Sequence, residues 1–210
     1  MDEKLAQEIT TKITERIERS KKPVPVGVSN RHLHMTQEHW DILFGKGTQP
    51  RKFRSVVQPG FWAAYETVTL EGPKGKLENI RIIAPHRSKT QIEISKTDAA
   101  ALGAKPPVRD SGKLEGSTGI KVIGPKGSIE LKEGVILAKR HIHFAPDEAK
   151  EFGLKEGDYV RVRSGINGDR ELVFEKVLCR ISDQFKLEFH VDTDEANASL
   201  VKTGDDVFIV

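Results

Sequence analysis

The sequence predicts a mainly β fold of the barrel type with an internal duplication, preceded by one amphipathic helix. Three observations carry this. Short alternating runs recur along the chain, separated by Gly- and Pro-rich turns. Gly-Pro-Lys-Gly occurs at 72–75 and again at 124–127, each time between two alternating runs. Arg-His-x-His occurs at 31–34 and again at 140–143, each copy followed by a helical pattern that ends at a glycine.

The elements follow in order. Leu5, Ile9, Ile13 and Ile17 recur every four positions among charged residues, which predicts a helix over 3–19 with a narrow apolar stripe. Lys21-Lys22-Pro23-Val24-Pro25 ends it, because each proline biases its predecessor away from the helical region. Val24, Val26 and Val28 then alternate as a strand does. A helix is expected over Thr36–Phe44, where Trp40, Leu43 and Phe44 lie at helical spacing. In both Gly-Pro-Lys-Gly segments, Pro at the second position and Gly at the fourth predict a type I turn closing a hairpin, the fourth residue left-handed. Further strands are expected at 91–95, 135–140, 159–163, 171–181, 185–191 and 206–210. Short helices are expected at Asp98–Leu102 (Thr97 as N-cap, Gly103 as stop), Pro146–Phe152 and Thr193–Leu200.

Composition narrows the function classes. The 210 residues carry 34 Lys+Arg against 31 Asp+Glu, interspersed throughout, for a net charge of +3. That is a solvated surface with room for a local anion site, not a nucleic-acid binder. Cys179 is the sole cysteine, so there is neither an internal disulfide framework nor an all-cysteine zinc site, and a reducing compartment is expected. No run approaches the ~18 apolar residues of a membrane helix, and the first twenty residues lack a secretory apolar block. The expectation is a soluble cytoplasmic protein without nucleic-acid or membrane partners.

The chemistry lies in the histidines. On a strand, residues i and i+2 share a face about 6.6 Å apart, close enough for two imidazoles to meet one metal ion; on a helix they sit about 200° apart. One such pair is more often a local feature, but two copies in matching contexts point to metal. Each pair needs a third ligand. His190, in Leu187-Glu188-Phe189-His190-Val191, is one candidate. Glu93, in Thr90-Gln91-Ile92-Glu93-Ile94-Ser95, is another, although an ordinary half-exposed strand has the same pattern. His39 and His86 read as structural or surface residues.

Two motifs are decoys. His32, His34, Glu38 and Gly45 satisfy a cupin metal spacing, but cupin ligands continue along strands, whereas Glu38 falls in a first helical turn, where a carboxylate suits the macrodipole. The His-x-His-x-Asp-His of dinuclear hydrolases is not present, because Met35 and Thr36 follow His34.

From Val24 to about Ala198 the chain resembles the phosphate propanoyltransferases, the PduL-type phosphotransacylases of bacterial microcompartments. The resemblance rests on Gly27-Val28-Ser29-Asn30-Arg31-His32-Leu33-His34, Glu66-Thr67-Val68-Thr69-Leu70-x-Gly72-Pro73-Lys74-Gly75, Thr90-Gln91-Ile92-Glu93-Ile94-Ser95, Arg140-His141-Ile142-His143 and His190-Val191-Asp192-Thr193-Asp194-Glu195-Ala196-Asn197-Ala198. It implies reversible transfer of a short acyl group, propanoyl or acetyl, between coenzyme A and phosphate at a dinuclear zinc site. It assigns His32, His34 and Glu93 to one zinc and His141, His143 and His190 to the other. Arg87, in Ala84-Pro85-His86-Arg87, matches the phosphate-binding arginine, and Ala84 stands where the family often has glycine. Val28, Ser29, Asn30, Lys74, Arg81 and Asn197 match positions that touch coenzyme A. The resemblance further implies two β-barrels joined by short helices, one from 23–30 with 139–210 and one from 31–138. Residues 1–22 would form a helix and linker comparable to an encapsulation peptide. It also implies a homodimer, shell or core proteins as partners of the N-terminal helix, and a place in propanediol degradation inside a microcompartment. The duplicated histidine units would lie at the crossovers between barrels and reach one cleft. Zinc-dependent thioester or phosphoester hydrolysis is the alternative activity, and a metal-stabilised interaction module the non-enzymatic one. Cys179, in an apolar strand, reads as core.

Overall fold

A computed structural model describes residues 3–210. In chain order, α1 (Glu3–Arg19) leads into β1 (Pro23–Ser29), β2 (His32–His34), α2 (Gln37–Phe44), β3 (Lys52–Ser55), β4 (Trp62–Glu71), β5 (Lys76–Ala84) and β6 (Gln91–Glu93). Then come α3 (Lys96–Leu102), β7 (Val108–Arg109), β8 (Thr118–Ile123), β9 (Ser128–Ala138), β10 (His141–Phe144) and α4 (Pro146–Glu151). The chain ends with β11 (Tyr159–Ser164), β12 (Leu172–Ile181), β13 (Glu188–Asp192), α5 (Thr193–Ser199) and β14 (Asp206–Ile209). These form two compact units: residues up to Val28 with Arg140–Val191 and Glu195–Val210, and Ser29–Lys139 with Asp192–Asp194.

The first unit is a closed barrel in the order β1-β13-β10-β12-β11-β14. Alternation fills it. Val24 and Val26, Ile142 and Phe144, Phe189 and Val191, and Val207 and Ile209 point inward and are buried. Cys179 belongs to this core, and burial, with Asp158 adding to it, pushes its thiol up to about 12. Helix α1 buries none of its residues, and Leu5, Ile9, Ile13 and Ile17 stay between 44% and 53% exposed. Its last turn and linker are tied down: the Arg19 guanidinium donates to the Phe152 carbonyl (3.4 Å), and the Lys22 ammonium to that of Glu151 (2.6 Å).

The second unit closes a ring in the order β4-β5-β2-β6-β9-β8, because β8 pairs with both β9 and β4; β3 and β7 extend it at β4 and β9. Its core includes Leu33, Met35, Trp40, Leu43, Leu70, Ile80, Ile82, Ile92 and Val135. No helix among the described residues is long and apolar enough to cross a membrane.

Both rings share one connectivity. Strand β2 pairs parallel to β5 and antiparallel to β6, as β10 does to β12 and β13. The antiparallel pairs β4–β5, β4–β8 and β8–β9 correspond to β11–β12, β11–β14 and β14–β1. Each Arg-His-x-His therefore starts a strand of one ring directly after a strand of the other.

Two local expectations are corrected. Helix α3 begins earlier than Asp98, with Ser95 as N-cap rather than Thr97: Ser95 Oγ accepts from the Asp98 N–H (3.2 Å), while the Thr97 N–H donates to Asp194 Oδ2 (2.8 Å). Gly75 and Gly127 are not left-handed. Glycine is needed at these turns for space. A Cβ on Gly72 would come 2.3 Å from the Leu102 carbonyl oxygen, and one on Gly124 would come 2.6 Å from that of Leu43. The ends of α3 and α2 press on the two turns, where the Lys74 and Lys126 N–H groups donate to those carbonyls (3.0 Å each).

Candidate metal centres

The pairing register brings each histidine pair to its third group. In the second unit His32 lies opposite Glu93 across β2 and β6, and His34 opposite Gln91. In the first unit His141 lies opposite His190 across β10 and β13, and His143 opposite Glu188. Residues opposite each other on antiparallel strands share a face, so both third residues join the i, i+2 histidines without any loop. The ligand atoms of His32, His34 and Glu93 all lie within 4.8 Å of one another, as do those of His141, His143 and His190.

The rings are held as metal ligands are held. His32 Nδ1 donates to the Asn30 carbonyl (2.8 Å) and His34 Nδ1 to the Ile83 carbonyl (3.1 Å), since a carbonyl only accepts. In a neutral ring so held, Nε2 carries the lone pair. Burial pushes the His34 imidazole well below its usual 6.5, and His32 and Arg87 add to the shift, so the ring is neutral. In the first unit the His141 ring stacks on His190 at 4.9 Å, and His143 stacks on Phe185 at 3.9 Å. His190 Nε2 is buried and makes no aligned hydrogen bond, although Glu188 Oε2 lies 2.8 Å from it. Two imidazoles with a carboxylate, and three imidazoles, both suit zinc, whose bonds to them are about 2.0–2.2 Å.

A second pair of matched contacts braces each group. Arg31, before the first histidine, donates to Asp98 Oδ1 (2.8 Å), and Asp98 also caps α3. Arg140, before the second pair, meets Glu195 Oε1 at 2.6 Å, on α5. Asp98 and Glu195 each follow the third residue of their group by five positions. Each ion pair thus ties the histidine strand to the helix that follows the third group.

Arg87 is brought beside the His32 group. Its N–H donates to the Met35 carbonyl (2.9 Å), one residue past His34, and its guanidinium lies over the Phe61 ring (5.2 Å). Phe61 in turn meets His34 edge-on at 6.2 Å. Among the remaining sequence-predicted residues, Ser29 Oγ lies 3.5 Å from His32 Nδ1, and the Asn30 carbonyl orients that ring. The Val28 N–H donates to Thr203 Oγ1 (3.1 Å). Arg81 lies next to His32 in register but donates to the Ala64 and Tyr65 carbonyls (3.0 and 2.8 Å). Lys74 is exposed on its hairpin turn, and Asn197 is exposed on α5 in the other unit. His39 and His86 are structural: His39 Nδ1 pairs with Thr90 Oγ1 (2.6 Å), and His86 packs edge-on to Trp40.

Sequence reasoning missed Gln91, Asp98, Phe61, Phe185 and the role of Glu195. The five-residue spacing from third group to acid was visible in both copies, but its partner arginine lies far off in the chain.

Comparison with known proteins gives one consistent answer. A family model described as phosphate propanoyltransferase matches residues 25–202. The phosphate propanoyltransferase of Thermotoga maritima is 54% identical over 185 residues, 88% of each chain. That of Priestia megaterium is 47% identical over 208 residues, covering 98% of this chain and 95% of its own. That of Salmonella typhimurium is 45% identical over 200 residues, covering 95% and 93%.

Proposed function

The chain belongs to the phosphate propanoyltransferase family, and from that premise we propose that it transfers a short acyl group reversibly between coenzyme A and phosphate, using one zinc ion at each histidine group. It is a phosphate acyltransferase. The observation that carries the finer reading is the matched pair of three-residue groups, both with oriented or stacked imidazoles and one with Arg87 beside it.

His32, His34 and Glu93 would hold one ion; His141, His143 and His190 would hold the other. Three protein ligands each leave a coordination position for substrate. Zinc, when bound, polarises a thioester carbonyl and holds a departing thiolate deprotonated. The protein's own part is binding and orientation. Arg87 would clamp phosphate with its planar fork and present one oxygen to the acyl carbon; the carbon–sulfur bond then breaks and coenzyme A leaves as thiolate. No protein nucleophile is required. Cys179 is unsuited to that role, since its burial in the core disfavours the thiolate. Ser29 and Asn30, next to His32, suit the approach of coenzyme A, with Val28, Lys74, Arg81 and Asn197 as further contacts. The exposed apolar stripe of α1 supports its reading as an address to microcompartment proteins, and a homodimer is the proposed assembly.

Incubating the zinc-loaded protein with propanoyl-CoA or acetyl-CoA, with and without phosphate, tests this. Phosphate-dependent release of coenzyme A with formation of acyl phosphate is expected. Release that ignores phosphate would make the protein a hydrolase, and no release with both metals bound would leave it a metal-stabilised binding module.

A further inference from the structure

The third ligands of the two groups differ, Glu93 in one and His190 in the other, yet each has a partner two residues earlier on the same strand face. Gln91 donates its side-chain amide to Glu93 Oε1 at 2.5 Å. Glu188 places Oε2 2.8 Å from His190 Nε2. Both partners are themselves fixed. Gln91 Oε1 accepts from the Gly112 N–H (2.7 Å), and its amide also reaches Ser111 Oγ (2.7 Å). Glu188 is buried and lies against Gly27, where a Cβ would come 2.5 Å from Oε1 and 2.6 Å from the carboxyl carbon. Any residue but glycine at position 27 would displace the carboxylate.

The chemistry of these two pairs is reciprocal. A carboxylate ligand, Glu93, is held by an amide donor; an imidazole ligand, His190, faces a carboxylate. Counted as a whole, each pair supplies one carboxylate. We propose that Glu188 is the positioning and charge-setting carboxylate of the His141–His143–His190 centre, the electrostatic counterpart of Glu93. Both centres then hold a dication at a net charge of about +1, despite ligand sets that differ by one carboxylate. This rests on the reading that His141, His143 and His190 hold a metal ion. Glu188 is not a member of that mutually close ligand set, so it acts through His190: although the 2.8 Å contact is not an aligned hydrogen bond, a carboxylate beside Nε2 leaves Nδ1 to the ion, favours one setting of the ring and raises its basicity.

The test uses the full chain loaded with zinc and titrated with a competing chelator. The unaltered protein should release two ions in resolvable steps. Glu188→Gln keeps the shape and removes the charge. It should weaken one step by about 10–100-fold, the range for losing a partner of a metal-bound histidine, and leave the other step and the unfolding midpoint of the metal-free protein unchanged. Glu188→Asp should recover part of the loss, and Gly27→Ala, which pushes on the same carboxylate, should weaken the same step. With cobalt in place of zinc, the visible absorption of one centre should shift in Glu188→Gln. Unchanged metal release in Glu188→Gln would overturn the proposal. Unaltered protein that binds only one ion, lost when His32 is replaced and kept when His141 is replaced, would overturn the metal reading at His141 and the proposal with it.

Discussion

The Glu93 centre and the His190 centre occupy equivalent places in two rings of the same connectivity, yet they are built differently. In the first, His32 and His34 are oriented by backbone carbonyls and the third group is an anion. In the second, His141 and His143 are oriented by stacking on His190 and Phe185, and the third group is an imidazole. What stays constant is register: first histidine opposite the third group, second histidine opposite that group's neighbour two residues earlier, and an arginine tied to the helix beyond. A barrel strand pair fixes which side chains share a face, so residue types can change while the geometry persists.

The largest expected effects come from breaking either centre. His141→Ala and His32→Ala should each lose one of the two proposed ions, read as metal per chain. Turnover should fall by more than about a hundredfold, since losing a ligand costs more than losing a group that only supports one. If either variant kept full phosphate-dependent turnover, the two centres would not serve one reaction.

Arg87 sharpens the comparison, because the structure places it beside the His32 group. Arg87→Ala should keep both ions and the fold, raise the Michaelis constant for phosphate and lower turnover. The expected loss is about 2–4 kcal/mol, the range for one preorganised charge-stabilising donor. Arg87→Lys should recover only part of it, since an ammonium cannot bind bidentately. Near-normal turnover in Arg87→Ala would move the phosphate clamp elsewhere.

The bracing ion pairs should contribute less, and unequally. Asp98 is more buried than Glu195, with side-chain exposures of 9% and 19%. Arg31→Gln should therefore cost about 1–2 kcal/mol of unfolding free energy and Arg140→Gln less than about 1. Denaturant midpoints of the two variants measure this. The reverse order would mean that burial of the acid does not set the cost.

How much of this could be read in the sequence depends on range. His-x-His was legible, because strand geometry acts over two residues. The strand around Glu93 was equally legible as an alternation, and in the structure Ile92 and Ile94 are buried on the opposite face. The partners were not legible. Gln91 against Ser111, Arg31 against Asp98 and Glu188 against Gly27 depend on which distant strands pair, and no local pattern encodes that. The Gly-Pro-Lys-Gly hairpins were legible and form as expected. The reason for their glycines was not: local reasoning makes the fourth one left-handed, whereas helix ends from elsewhere in the chain require space at the first. The same limit explains the start of α3: Thr97 is an adequate cap by type, but Ser95 and Asp98 satisfy each other.

The smallest catalytic effect is expected at α1, which has no counterpart in the other ring. Its stripe of Leu5, Ile9, Ile13 and Ile17 is about half exposed, and Arg19 and Lys22, in its last turn and linker, donate to carbonyls of the first unit. A helix so placed contributes little to the barrel, but it offers an apolar face that a partner helix or groove can cover. Deleting residues 1–20 should leave turnover within a few-fold and reduce co-sedimentation with shells or large assemblies. The deletion also removes the contact of Arg19 with the Phe152 carbonyl while leaving that of Lys22 with Glu151 in place. A loss of more than about 1.4 kcal/mol in transition-state stabilisation, tenfold in rate, would make the helix part of the catalytic unit. Undiminished assembly with normal turnover would instead show that the exposed stripe is no address.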